Sequence, residues 1–386
     1  MCQIFCIWEV VAGIATVEPA YNNLVHSPCT RLFVSYTYMT KLYVGVDWHK
    51  RSSTWVAIDD MRRKVYMRSW GCTPEEVHAA ISSLPATPEH IVLGVEPVCG
   101  WRWMTELCVA RGISDVHVAN PKRLREIATT AHKTDKNDAH TIAELLRMDY
   151  LPCAYRASNE IHGLRILVRQ RTFFTRLGIS TKCRIHGLCA MHGAHETAER
   201  PLLAAGRATI MAGSNEELRD MYLLMDEIAL HQKRIEQKIS VTVGDSPYYR
   251  ILSSIPGIGP VTGAAIIAEV GDFTRFRRPS ALVSHAGLYP RERSSGGVQH
   301  LGGMSKQGSR TLRYTIIEAA MRVRDTECSH NLYTHYESAR DWRKKTPKQA
   351  RVVLAHKMLT IIWHLAHRGV CYDDRAVKPA QREMTS

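Results

Sequence analysis

Four acids stand where an enzyme could use them. Asp47 ends an apolar run at residues 42–47, Glu96 follows another at 91–95, and Asp135 and Asp138 open a helical stretch. Three residues apart on a helix, the last two share one face. Acids at strand ends and at a helix N-terminus converge on one edge of an α/β sheet, where sites collect. Four carboxylates gathered there raise each other's pKa and call for cations. Two divalent ions roughly 3.5–4 Å apart meet that need and suit phosphoryl transfer. An all-oxygen ligand set favours Mg²⁺ or Mn²⁺ over zinc. Singly, each acid reads more simply as a solvated charge, and Asp135 as a helix cap.

The elements that must position these acids follow from periodicity. Strands are predicted at 42–47, 54–58 and 64–68, the first two joined by a short hairpin loop at 49–53. Thr73, Pro74 and Glu76 form a capping box that starts a helix. A strand at 91–95, a helix at 101–111, a strand at 116–119 and a helix at 136–147 follow. That order, β-β-β-α-β-α-β-α, predicts a mixed sheet with helices on its faces over residues 39–155.

Beyond residue 156 the pattern becomes helical. The first helix, 158–190, is basic, with Arg165, Arg169 and Arg176 on one face as candidate phosphate contacts. In the second, Leu218, Met221, Met225, Ile228, Gln232, Ile235 and Ile239 form an a/d seam. A coiled-coil hairpin and a dimer seam explain it equally. Cys183, His186, Cys189 and His192 recur every three residues, but on one helix they drift by about 60° per step, too far for a four-ligand metal site. From residue 246 to 370 a mostly helical domain is predicted. Its Ile255-Pro256-Gly257-Ile258-Gly259-Pro260 stretch suggests a helix-hairpin-helix, in which Gly257 and Gly259 admit a phosphate to the backbone. A plain glycine turn between packed helices is the alternative. A loop at 290–310 and helices at 311–324 and 347–368 complete it, and residues 371–386 read as a tail.

The chain has 386 residues, enough for two or three domains. Its 45% hydrophobic and 23% charged residues exclude a disordered or low-complexity chain. A net charge of +14 points to a polyanionic partner, most often nucleic acid. No stretch is apolar enough to span a bilayer, so no membrane partner is expected. Eleven scattered cysteines suit reduced thiols in a cytoplasm. Residues 1–38 carry three charges and no persistent pattern, whereas a clean strand begins just after Met39. The expectation is that Met39 is the natural start and the preceding segment an extension.

In order, Val-Gly-Val-Asp47-Trp-His-Lys, Gly-Val-Glu96-Pro and Lys-Thr-Asp135-Lys-Asn-Asp138-Ala resemble the DEDD-type insertion-sequence transposases. His285-Ala-Gly-Leu-Tyr-Pro290, Ser294-Ser295-Gly296-Gly297 and Gly303-Met-Ser-Lys-Gln-Gly308 resemble that family's C-terminal block. The resemblance runs from about residue 39 to 368. It implies a RuvC-like, RNase H-like catalytic domain that holds two Mg²⁺ or Mn²⁺ ions on Asp47, Glu96, Asp135 and Asp138. It further implies cutting and rejoining of DNA through a serine, guided by a structured RNA of the element, in a homodimer or homotetramer of a prokaryotic cytoplasm. Ser295 is the implied nucleophile, with Ser294 its rival and Ser305 more distant. A serine beside glycines can approach a phosphate closely, yet needs activation. Arg291, Arg293, Lys306, Arg310 and Arg313 surround the serines as candidate backbone contacts. Two other readings keep the acids or the charge alone: a Holliday-junction-type nuclease without a serine, and a basic binding scaffold. A DEDD exonuclease fits less well, because it carries an acid where His49 stands.

Overall fold

A computed structural model describes residues 41–127, 134–192, 201–212, 215–295, 298–326, 329–341 and 343–376, the side chains of 292–301 and 324–328 excepted. The predicted extension at 1–38 lies outside them. The chain divides into two compact units that meet between Arg156 and Ala157. The helical middle and the C-terminal domain, expected to be separate, belong to one unit. Among the described residues no helix is long and apolar enough to cross a membrane.

The first unit is built on a five-stranded sheet. Its strands are β1 (Leu42–Trp48), β2 (Ser52–Ile58), β3 (Lys64–Gly71), β4 (Ile91–Val95) and β5 (Asp115–Val118), in the order β3-β2-β1-β4-β5. β1 pairs antiparallel with β2 and parallel with β4, and β4 pairs parallel with β5. This mixed sheet is consistent with an RNase H-like domain. β1 and β4 are the near-continuous apolar runs of strands covered on both faces. The helices are α1 (Pro74–Ser82), α2 (Trp101–Ala110), α3 (Pro121–Ile127) and α4 (Asp135–Arg147). α1 carries the predicted capping box, Thr73 accepting from the Glu76 amide. α3 was not predicted; its seven residues are too few to display a helical period.

Two glycines set the position of α4. Gly45 and Gly94 are register partners on β1 and β4. A Cβ on Gly45 would collide with the Ala139 carbonyl of α4, and one on Gly94 would press on Ile142 and Leu146. The helix backbone therefore lies directly on the sheet, its N-terminus towards the end of β1.

The second unit is helical. α5 (Asn159–Met191) and α7 (Glu216–Val243) run antiparallel, with α6 (Ala204–Ala212) between them in sequence. Gln232 Nε2 donates to Thr175 Oγ1 at 3.1 Å, Arg171 pairs with Glu236, and Phe174 stacks on His231. The a/d seam of α7 thus packs within the chain, and Ile228, Ile235 and Ile239 are buried. Of the Cys/His series on α5, Cys189 is buried while Cys183 and His186 are exposed, so the four do not converge. α8 (Pro247–Ser253), α9 (Pro260–Val270), α10 (Pro279–Ala286), α11 (Arg310–Thr326), α12 (His330–Asp341) and α13 (Pro347–Arg368) share a core in which α9 is buried almost throughout. The predicted 290–310 loop contains a hairpin, β6 (Pro290–Ser295) with β7 (Val298–Met304). Part of the predicted tail is anchored: Tyr372 N donates to Ser254 Oγ at 2.8 Å, and Asp374 caps α12 through Ser329 and the His330 amide.

Candidate functional site

Asp47 lies one residue from the end of β1, only 4% exposed. The chain turns at once into β2, and His49 N donates to Ser52 O at 2.9 Å. Side chains two apart on a strand share a face. His49 accordingly sits over the carboxylate, Nε2 to Asp47 Oδ2 at 3.1 Å. The same nitrogen is 3.6 Å from Asp135 Oδ1. Asp135 comes from the first turn of α4, whose N-cap Thr134 accepts from the Asn137 amide. Thr134, not Asp135, is the cap.

Glu96 directly follows β4, whose Val95 is paired with Val46. It therefore lies at the same sheet edge as Asp47. The loop it opens is tied back to β1 by Trp48, whose Nε1 donates to Cys99 O at 3.0 Å and whose ring meets Trp103 edge-on. Gly100 turns this loop with φ 88°, against the two indole nitrogens.

Burial holds the Asp47 carboxyl above the usual carboxylate range; His49 works against that shift, and the charges of Asp135 and Asp138 add to it. Asp47, His49 and Asp135 are the one group of three among the described residues whose donor atoms lie within 4.8 Å of one another. Glu96 and Asp138 are not members of this close group; Asp138 shares the first turn of α4 with Asp135, and its charge acts on Asp47. A buried carboxylate crowded by further carboxylates fits a hard divalent cation, which would supply the missing counter-charge. In the sequence His49 is noted only as standing where an exonuclease carries an acid. Its i, i+2 spacing from Asp47 is the signal that would have joined it to the site.

In the second unit, Ser295 is the last residue of β6, paired with Val298, and Ser294 pairs with Gln299. Their side chains, that of Arg293, and Gly296 lie outside the described residues. Ser305 is buried and its Oγ accepts from the Gln307 amide, a turn role. Arg291, Lys306 and Arg310 are exposed, while Arg313 donates to the carbonyls of Ala286 and Lys306. Gly257 has φ 82°, and a Cβ there would meet the Ala319 carbonyl and Val323 of α11. Its bareness serves helix packing. Gly259 caps α9. On α5, Arg165 Nε donates to Ala268 O at 2.8 Å; Arg169 and Arg176 are both exposed, and Arg169 faces Glu269 at 3.5 Å.

Comparison with known proteins matches both units. A model described as the transposase IS116/IS110/IS902 family covers residues 249–337, and a transposase model of the DEDD, IS110 type covers 44–191. A probable family 20 transposase of Pseudomonas aeruginosa is 28% identical over 261 residues, 62% of this chain and 75% of the relative. The transposase of insertion sequence element IS1111A from Coxiella burnetii is 28% identical over 261 residues, 63% of this chain and 69% of the relative. A pilin gene-inverting protein of Moraxella bovis is 24% identical over 264 residues, 67% of this chain and 75% of the relative.

Proposed function

Because the chain belongs to the DEDD-type insertion-sequence transposases of the IS116/IS110/IS902 family, and so is a DNA transposase, we propose that it cuts and rejoins DNA with metal-bound carboxylates and a serine nucleophile. Asp47, Glu96, Asp135 and Asp138 would hold two Mg²⁺ or Mn²⁺ ions, which would supply Lewis-acid stabilisation to a phosphate and its leaving oxygen. The observation that carries this reading is the buried Asp47 with His49 and Asp135 gathered upon it. His49 orients the Asp47 carboxylate through its 3.1 Å contact. Ser295, at the end of β6, loses its proton to solvent as its oxygen bonds to phosphorus, and the P–O bond to the departing strand breaks, that strand's oxygen taking up a proton to leave as a hydroxyl. Reversal onto a second strand end rejoins the DNA. The name of the Moraxella bovis relative supports rejoining as well as cutting, since inverting a gene requires both. The net charge of +14 supports a nucleic-acid partner, and the family resemblance supports a structured guide RNA and a dimer or tetramer in which one subunit's carboxylates meet another's serine.

The test is a covalent protein–DNA adduct. Ser295→Ala abolishes both the adduct and strand exchange while DNA binding persists, at a stability cost within about 0.5 kcal/mol. Ser294→Ala is the control: if it is dead and Ser295→Ala active, the nucleophile is its neighbour and the mechanism stands. If both variants cleave and no adduct forms, water attacks, and a Holliday-junction-type nuclease replaces this reading.

A further inference from the structure

The turn that joins α12 to α13 gathers cations. Between residues 340 and 351 stand Arg340, Arg343, Lys344, Lys345, Lys348 and Arg351 against one acid, Asp341. Arg351 Nε is turned back onto Pro347 O at 3.1 Å, while the other five are exposed. Among the described residues no ion pair reaches this run, whereas Arg169, Arg171 and Arg207 of the same unit each face an acid. A charged run by itself is an ordinary solvated face. Here its backbone is fixed and its charges oppose one another.

Arg343 N donates to Ser338 O at 3.3 Å and Lys345 N to Ala339 O at 3.2 Å, which fastens the turn to the end of α12. Thr346 and Gln349 then open α13 with a reciprocal capping box. Between these ties Lys344 holds φ 46°, a left-handed conformation that glycine adopts freely and L side chains rarely. A lysine kept where glycine would fit better points to a use for its ammonium group. The cations also press on a half-buried neighbour. Burial, then Lys357, Arg343 and His356, lower the pKa of His335 on α12. Arg343 belongs to the turn, and Lys357 and His356 come from α13. Positive groups of the turn and of both helices thus converge on one another, and a bound anion relieves such a field.

Resting on the reading that the chain acts on nucleic acid, but not on the serine chemistry, we propose that the α12–α13 turn binds a nucleic-acid phosphodiester backbone through Arg343, Lys344, Lys345 and Lys348. Such contacts fix register and orientation without reading bases. The fixed backbone lowers the cost of ordering the turn on binding. A DNA duplex and an RNA strand present the same phosphates, and salt dependence on each separates them.

The experiment is fluorescence anisotropy of the full-length chain with a labelled DNA duplex and a labelled single-stranded RNA of equal length, each over a series of salt concentrations. Lys344→Gly, Lys345→Gln and Lys348→Gln together should flatten the log–log slope by roughly 0.9 per phosphate contact on the duplex and about 0.7 on the RNA, or about 2–3 in all. The melting temperature should not fall, because glycine suits φ 46° at residue 344 and the other two lysines are exposed. In the unmodified protein, bound nucleic acid should also protect Lys344, Lys345 and Lys348 from acetic anhydride, read by mass spectrometry, which does not depend on any variant folding. Flattening on the duplex alone assigns the turn to the DNA substrate, and on the RNA alone to an RNA partner. Unchanged slopes on both probes, or full acetylation of the three lysines in a saturated complex, overturn the proposal. Duplex binding with an unchanged slope leaves the nucleic-acid reading standing, whereas a protein that binds neither probe removes both.

Discussion

Asp47 is a buried acid among acids, and its pKa carries a signed consequence. Its pKa in the folded state is raised by burial and by Asp135 and Asp138. A raised acid favours the fold while protonated, below its unfolded pKa of about 3.9, and that contribution is lost as pH rises through the higher folded value. Cation-free protein with Asp47→Asn should therefore melt above the wild type at neutral pH, and the gap should close towards pH 3. Mg²⁺ should reverse the order, because it binds the wild-type fold selectively; at a hundred times its Kd it adds about 2.7 kcal/mol. Thermal melts with and without Mg²⁺ decide this, and a variant that gains as much from the ion as the wild type would refute the ligand role. Asp138→Asn should leave folding intact and lower strand cleavage by several orders of magnitude, measured in Mg²⁺ on a labelled duplex. The places of the four acids, at strand ends and at a helix start, were legible in sequence, because those positions are local signals. The grip of His49 on Asp47 was equally local and was overlooked because a lone histidine has many roles. No local signal distinguishes Ser295 from Ser294, since adjacent serines in one turn share every sequence property.

Elements are positioned by contacts that sequence reveals only in retrospect. Gly45 precedes Asp47 by two residues and sits on the opposite strand face from Val44 and Val46, yet its reason is Ala139, almost a hundred residues later. Gly45→Ala should push α4 off the sheet, at about 1–3 kcal/mol, and move Asp135 away from Asp47. Cleavage should then fall more than stability alone explains. Gly94→Ala meets the movable ends of Ile142 and Leu146 and should cost less. A denaturant series on the two variants separates them, and equal costs would mean that α4 shifts freely. Gly257 shows the converse: its place in a Pro-Gly-Ile-Gly run suggested a phosphate, whereas its bareness is required by α11. The β6–β7 hairpin escaped the sequence reading because its polar strands lack an apolar face. Acid should loosen the C-terminal helices through His335 on α12. Burial, then Lys357, Arg343 and His356, holds its pKa down at about 4 against an ordinary 6.5. A depressed histidine contributes stability above its unfolded pKa and loses it as pH falls from 6.5 to about 4. His335→Gln should flatten the drop in melting temperature across that window.

At the scale of the whole molecule, a charge of +14 favours a polyanionic partner but does not locate its contacts. The change near residue 156 from strand-and-helix alternation to long helices was legible as a change of hydrophobic period, whereas the packing of the helical middle with the C-terminal helices into one unit was not, because it rests on contacts between distant residues. The use of individual arginines was not, since a basic helix face looks the same whether it meets phosphates or carbonyls. Arg165, Arg169 and Arg176 were grouped by helical spacing, and the structure separates them. Arg165 caps the last turn of α9 through Ala268 O, and Arg169 faces the buried Glu269, whose Oε1 has no hydrogen-bond partner among the described residues. Arg176 is exposed. Each phosphate neutralised contributes roughly −0.9 to the log–log salt slope on duplex DNA and about −0.7 on single strands. Arg176→Ala should flatten the slope by about that amount and leave the melting temperature unchanged. Arg165→Ala should do the reverse, lowering stability by about 1–3 kcal/mol as a charge-assisted bond is lost, with little change in slope. Binding isotherms at four or five salt concentrations, with melts on the same preparations, distinguish the two arginines. If Arg165→Ala flattens the slope and spares the fold, its contact with Ala268 gives way to nucleic acid when the complex forms, and the basic face acts as a single stripe.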